Sequence, residues 1–135
     1  MENIKIFINN QDLFDNRKLL DKKVKAKWLR ALRSNKYEKG KQYLCRDNKF
    51  CCLGVLNDLL KIPFEDLGSF HVERYYQHSD KILSDSHPLN EVLSSSGSFT
   101  GFHIFINNEE FLTLAGVNDS TETFAEVIYL IKNYF

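Results

Sequence analysis

Long apolar runs are missing from this sequence. None approaches the ~18 residues that a membrane-spanning helix needs, so no membrane association is expected. The opening Met1-Glu2-Asn3-Ile4-Lys5 has no basic start followed by a long apolar segment, and without that leader pattern a cytoplasmic location is expected. Cysteine is confined to Cys45, Cys51 and Cys52, an odd count with no Cys-x-x-Cys pair. Such a count reads as reduced thiols and not as a disulfide framework. It also gives no zinc-type spacing, since the adjacent Cys51 and Cys52 point in different directions, and with His71 and His78 read as loop histidines no metal is expected. Neither familiar glycine-rich phosphate loop is present, so nucleotide hydrolysis has no support and no cofactor is expected.

Net charge is absent too, 18 Lys and Arg standing against 18 Asp and Glu. The balance hides a segregation: residues 17–49 carry thirteen basic and three acidic residues, a local +10, while residues 50–135 carry four and twelve, a local −8. A basic segment of this kind can form a face that attracts phosphates, or it can be a lysine-rich solvated helix face with acidic neighbours. Overall neutrality argues against nucleic acid as the partner, whereas a small anionic nucleotide needs less positive surface. With 43% hydrophobic and 27% charged residues, the 135 residues fit one globular domain that hides about two-thirds of its unfolded surface.

Ile4-Lys5-Ile6-Phe7-Ile8 alternates and is β-branched, which predicts a strand ended by Asn9-Asn10. The pentapeptide Ile-Phe-Ile-Asn-Asn returns at 104–108 and predicts a second, similar strand, neighbouring the first in one sheet. Leu20, Val24, Trp28, Ala31 and Leu32 fall on one helical stripe running to Ser34, with Asp15 or Asn16 as cap and Asn35 as the left-handed stop. Arg46-Asp47-Asn48-Lys49 predicts a tight turn between strands at 41–45 and 50–51. A helix then starts at Cys52, with Leu53, Leu56, Leu60, Val55 and Leu59 at helical spacing, and Pro63 stops it. Gly54 inside it costs about 1 kcal/mol relative to alanine, so another backbone is expected to approach closely there.

Downstream, residues 64–69 read as a loop and 71–76 as a strand or an aromatic loop. Pro88 opens a helix with Leu89, Val92 and Leu93 inward and Gly97 as stop, followed by a flexible connection at 94–98. A short helix is expected at 109–114, closed by Gly116. A Thr123–Glu126 capping box leads the last helix, with Phe124, Val127, Ile128 and Ile131 inward and Tyr134 and Phe135 folding back on the core. The predicted fold is α+β, a single domain over 1–135 with about three main helices packed on a small antiparallel sheet.

Two constellations could carry chemistry. Cys52 at a helix start, His103 on a strand and Asn107 or Asn118 beyond follow the cysteine, histidine, polar order of papain-like hydrolases; the helix dipole and an imidazole would generate the thiolate. The same Cys52-Leu53-Gly54 is equally a small-residue packing site with inert thiols. The second constellation sets Arg30, Arg33, Lys41 and Arg46 near Tyr37 and other rings, a stacking-plus-cation surface suited to a nucleotide. Asn118-Asp119 before the last helix could add an anion or ribose contact, or could simply cap and turn the chain.

Trp28, the segment Ala31-Leu32-Arg33-Ser34-Asn35-Lys36-Tyr37, Gly40, Cys52-Leu53-Gly54-Val55-Leu56 with Asp58, and Asn118-Asp119 before Phe124-Ala125-Glu126-Val127-Ile128 occur here in that order. In this the chain resembles an uncharacterised family of small phage and prophage proteins with a tryptophan, an ALRSGKY-like segment, a CCLGVLCDL-like segment and a C-terminal LND helix. The resemblance covers roughly residues 24–60 and 114–132. It departs at Asn35 (commonly Gly), Lys39 (commonly Gln) and Asn57 (commonly Cys), so a third cysteine there is not needed for chemistry. The resemblance implies a phage-type accessory protein, of a kind that blunts host defence by sequestering a nucleotide signal or by masking a host protein in the host cytoplasm. The expected activity is therefore binding of a small nucleotide-like anion without transforming it; a cysteine-dependent hydrolase and a host-protein inhibitor are the alternatives, and self-association is compatible with each.

Overall fold

The computed structural model describes residues 4–68, 71–74, 76–78, 81–82, 87–93 and 102–135, with backbone only for 66–82 and 102. The predicted connection at 94–98 and the stop at Gly97 lie outside the described residues.

Ile4–Ile8 forms β1 and Phe102–Ile106 forms β9 (the intervening strands follow), and the two repeats are neighbours as expected, antiparallel with Ile6 facing Ile104 and Lys5 facing Phe105. Beyond β9, Asn107 and Asn108 take φ of 53° and 68°. Two consecutive left-handed residues are what a two-residue hairpin requires. Glu109–Phe111 therefore pairs back on β9 as strand β10 and completes a sheet of order β1-β9-β10, which corrects the helix expected at 109–114. The helix comes later, as α5 over Leu114–Asp119, capped by the Thr113 hydroxyl and containing Gly116.

Asn10 caps a short helix α1 (Gln11–Asp15) and Asn16 ends it, so neither Asp15 nor Asn16 opens the long helix. That role falls to Asp21, whose carboxylate accepts from Lys23 N at 2.9 Å and Val24 N at 3.2 Å at the start of α2 (Lys22–Arg33). Asn35 follows with φ 63°, the left-handed stop that its sequence position predicted. A two-residue strand β2 (Glu38–Lys39) lies parallel to β4 (Lys49–Phe50), and β4 pairs antiparallel with β3 (Tyr43–Arg46) across Asp47 and Asn48 at φ 52° and 64°. The rest of this five-stranded sheet is β5 (Asp66–Gly68) and β6 (His71–Arg74), in the order β2-β4-β3-β6-β5. The stretch expected to be a loop at 64–69 thus supplies an edge strand. A separate hairpin, β7 (Tyr76–His78) with β8 (Lys81–Ile82), precedes α4 (Pro88–Leu93).

Helix α3 (Cys52–Leu59) ends through Lys61 at φ 57°, before Pro63 is reached. It lies so close on β3 that a Cβ at Gly54 would stand 1.6 Å from the Leu44 carbonyl oxygen. The last helix, α6 (Ala125–Tyr134), has no side-chain cap at Phe124; the Thr123 hydroxyl instead accepts from Ala125 N at 3.2 Å, so the capping box does not form. α2 packs on both α3 and α6, and a single cluster joins the three helices to Leu44, Leu89, Ile104 and Leu114. Of the core residues expected from spacing, Leu20, Trp28, Leu32, Leu53, Leu56, Val127 and Ile131 are buried, while Val24, Leu60 and Ile128 are half-buried and Leu130 takes the inner position on α6. Each fully buried Leu, Ile or Val contributes roughly 1.5–3 kcal/mol through removal from water. Phe135 folds back as predicted, its ring edge-on to Trp28 with centroids 6.3 Å apart.

Candidate functional site

Cys51 and Cys52 sit where the second hairpin strand hands over to α3, and both are buried. Cys51 caps the helix, its Sγ accepting from Gly54 N at 3.3 Å. The Cys52 peptide is held on both sides. Its carbonyl accepts from Trp28 Nε1 at 2.8 Å, and its N–H donates to Asn118 Oδ1 at 3.0 Å. Burial pushes the Cys51 thiol up to about 12 and raises the Cys52 thiol well above its ordinary value. This reverses the expectation that the helix dipole would lower it. A dipole contributes ~0.3–1 kcal/mol, less than one pKa unit, whereas full burial shifts a group by up to 3–5 units in the other direction.

The histidine of the supposed triad is occupied elsewhere. Asn9 Nδ2 donates to His103 Nε2 at 2.8 Å, and His103 Nδ1 pairs with Glu110 Oε1. Asn118, far from orienting that ring, is a buried structural hub: besides accepting from Cys52 N, its Nδ2 donates to Gly40 O at 3.0 Å. Asn107 is exposed in the hairpin turn. Among the described residues no group of three or more His, Cys, Asp or Glu could hold a metal ion.

The neighbouring Asp119 accepts from Gln42 N at 2.9 Å, where Gln42 has φ 69°, and thereby holds a strained turn. Lys39 Nζ donates to the carbonyls of Asn118 (2.5 Å) and Thr121 (2.6 Å), and burial lowers its pKa. Asn118, Asp119 and Lys39 therefore clasp the 39–42 turn to the end of α5. They are not free to meet a ligand. Asn57, where the resembling proteins commonly carry cysteine, is buried and donates through Nδ2 to Ile62 O at 2.9 Å, which secures the end of α3.

Arg30, Arg33 and Tyr37 are brought together at the C-terminal end of α2. One cleft of about 290 Å³ is lined by Lys27, Arg30, Ala31, Ser34, Lys36, Tyr37 and Leu59. Arg33 lines two further clefts, one shared with Arg30 along the helix and one shared with Tyr37, Lys39 and Glu122. Tyr37 is fixed there by its hydroxyl, which donates to Asp58 Oδ2 at 2.6 Å, and by an edge contact with Phe50 at 5.0 Å. Arg46 stacks over Tyr43 at 5.1 Å and pairs with Asp47 at 3.8 Å, and neither it nor Lys41 lines these clefts. Lys27 and Lys36 were not singled out from the sequence, although Lys27, Arg30 and Ser34 recur at the three- and four-residue spacing that places side chains on one helix face.

The sequence matches the family DUF8296, a domain of unknown function, over residues 20–135, and the chain belongs to that family. No curated protein and no solved structure matches it. No helix among the described residues is long and apolar enough to cross a membrane.

The buried thiols set a pH dependence. In the unfolded chain a thiol ionises near 9.0, while the native Cys51 keeps its proton to about 12. The unfolded state therefore binds fewer protons above pH 9, and stability falls as pH rises. Tyr37, raised from 10.0 to about 12 by burial and then by its bond to Asp58, acts in the same direction. The urea midpoint is expected to hold steady through neutral pH and to drop between pH 9 and 12; a midpoint that rises there would contradict the burial of these groups. Iodoacetamide at neutral pH should label Cys52 only as fast as the protein opens.

Proposed function

We infer that the protein binds a small phosphate-bearing ligand of the nucleotide type at the cationic end of α2 and does not transform it. The observation that carries this reading is the gathering of Lys27, Arg30 and Lys36 around Tyr37 in a cleft lined by no carboxylate. None of these cations has an ion-pair partner among the described residues. Two arginines in the last turn would suffice to offset the helix dipole, a contribution of ~0.3–1 kcal/mol each. Lys27 lies outside that turn, and Lys36 follows the helix end. Cations take phosphates and an aromatic surface suits a base, which is the chemistry a nucleotide presents. The buried thiols favour binding over cysteine-based hydrolysis. The resemblance to phage and prophage proteins supports an accessory, counter-defence role in a host cytoplasm, with the nucleotide as the signal withheld. The exposure of Lys27, Arg30, Arg33 and Lys36 at the protein surface also favours a second reading, in which the same cations cover an acidic patch of a host protein.

Native mass spectrometry of protein purified from defence-activated host lysate should show a retained nucleotide, and calorimetry with a panel of linear and cyclic nucleotides should identify its class. Arg30→Glu is expected to weaken binding more than tenfold while lowering stability by no more than about 1–2 kcal/mol, the helix-dipole contribution reversed, and added salt should weaken the parent's binding, since exposed charges are screened over about 8 Å at physiological ionic strength. A retained nucleotide that Arg30→Glu leaves in place would refute the site. Retention of an acidic protein instead would select the masking reading.

A further inference from the structure

We propose that the protein self-associates through the free edge of β1, pairing Ile4–Ile8 with the same strand of a second copy about a two-fold axis at Ile6. The sheet order β1-β9-β10 leaves the outer edge of β1 unpaired among the described residues. Edge strands are normally blunted by proline, a bulge or several charges. β1 has a regular register, no proline and a single charge, Lys5. Two of its large apolar side chains face water, Phe7 at 57% and Ile8 at 45% exposure.

The identity of the occupant comes from the repeat. Ile6-Phe7-Ile8-Asn9-Asn10 and Ile104-Phe105-Ile106-Asn107-Asn108 are the same sequence, and inside the chain they pair with Ile6 facing Ile104, Lys5 facing Phe105 and Ile4 facing Ile106. The inner edge of β1 is thus already met by a copy of its own sequence, in a register centred on the first isoleucine of the repeat. Carried to the outer edge, that register sets Ile6 opposite the partner's Ile6, Ile4 opposite the partner's Ile8 and Lys5 opposite the partner's Phe7. In this register the only charged residue of the strand meets a ring and never another lysine, so the pairing brings no like charges together. Zero net charge leaves no long-range repulsion between copies. The product is a six-stranded antiparallel sheet shared by two chains, an isologous interface in which each contact occurs twice.

Sedimentation equilibrium over a range of protein concentration tests this, with the dimer expected at twice 15.8 kDa. Phe7→Lys sets lysine opposite lysine at both ends of the paired strands and is expected to return the mass to one chain. The double variant Lys5→Glu with Phe7→Lys sets glutamate opposite lysine and is expected to restore the doubled mass. A one-chain mass for the parent at every concentration, a doubled mass that survives Phe7→Lys, or a double variant that folds but stays single would each overturn the proposal. Amide exchange in the unmodified protein is the second measurement: protection of β1 that grows with protein concentration supports the pairing, and protection independent of concentration overturns it.

Discussion

Gly54→Val is expected to destabilise the protein by more than about 3 kcal/mol, beyond the usual range for an overpacked core. A Cβ at Gly54 would lie 1.6 Å from Leu44 O and 2.5 Å from Leu44 C, which are backbone atoms that no rotamer change can remove. Either α3 lifts off β3 or the strand bends, and both break contacts of fully buried side chains, Leu44, Leu53 and Leu56 among them. Gly54→Ala carries the same Cβ, so its gain in helix propensity of about 1 kcal/mol should not rescue it. Denaturant unfolding of both variants checks this. An alanine variant as stable as the parent would mean that the helix does not rest on that carbonyl.

Trp28→Ala should cost about 3–5 kcal/mol from the lost ring alone, the range for large aromatic residues truncated in a core. More is expected, because the indole also donates to the buried Cys52 carbonyl, and an orphaned buried acceptor adds about 1–3 kcal/mol. Trp28→Phe narrows the difference, since it keeps an aromatic ring against Phe135 while removing the donor together with part of the indole volume. The phenylalanine variant should fall between parent and alanine in urea midpoint. If it equals the parent, the bond to Cys52 contributes nothing to stability.

The parts of the fold that could be read from residue order are those governed by local conformation. Asn35, Asp47 and Asn48 are left-handed where their positions require it, and the stripe through Trp28 and Leu32 is the buried face of α2. The repeat at Ile6 and Ile104 announced a shared sheet because identical strands suit identical environments. The error at 109–114 came from reading Glu-Glu-Phe-Leu by spacing alone, when Asn107-Asn108 was already a hairpin signal of the kind recognised at Asp47-Asn48. What spacing could not supply was burial and distant hydrogen bonding. The sign of the Cys52 shift depends on how deeply the thiol is enclosed, and the use of Lys39, Asn118 and Asp119 as a clasp depends on contacts across 77 to 82 positions. Arg30, Arg33 and Tyr37 were placed together by their nearness along one helix and its exit, whereas Lys41 and Arg46 were grouped with them by charge, which carries no direction.

The pairing of β1 with β9 also governs when the protein can finish folding. Ile6 stands 98 positions before Ile104. Closing a loop of that length costs about 4 kcal/mol of chain entropy before any bond between the strands is made. At about 5–20 residues per second of synthesis, a nascent chain exposes β1 for roughly 5–20 seconds before its intramolecular partner has even been made. Throughout that interval both edges of β1 lack the strand that pairs with it in the finished sheet.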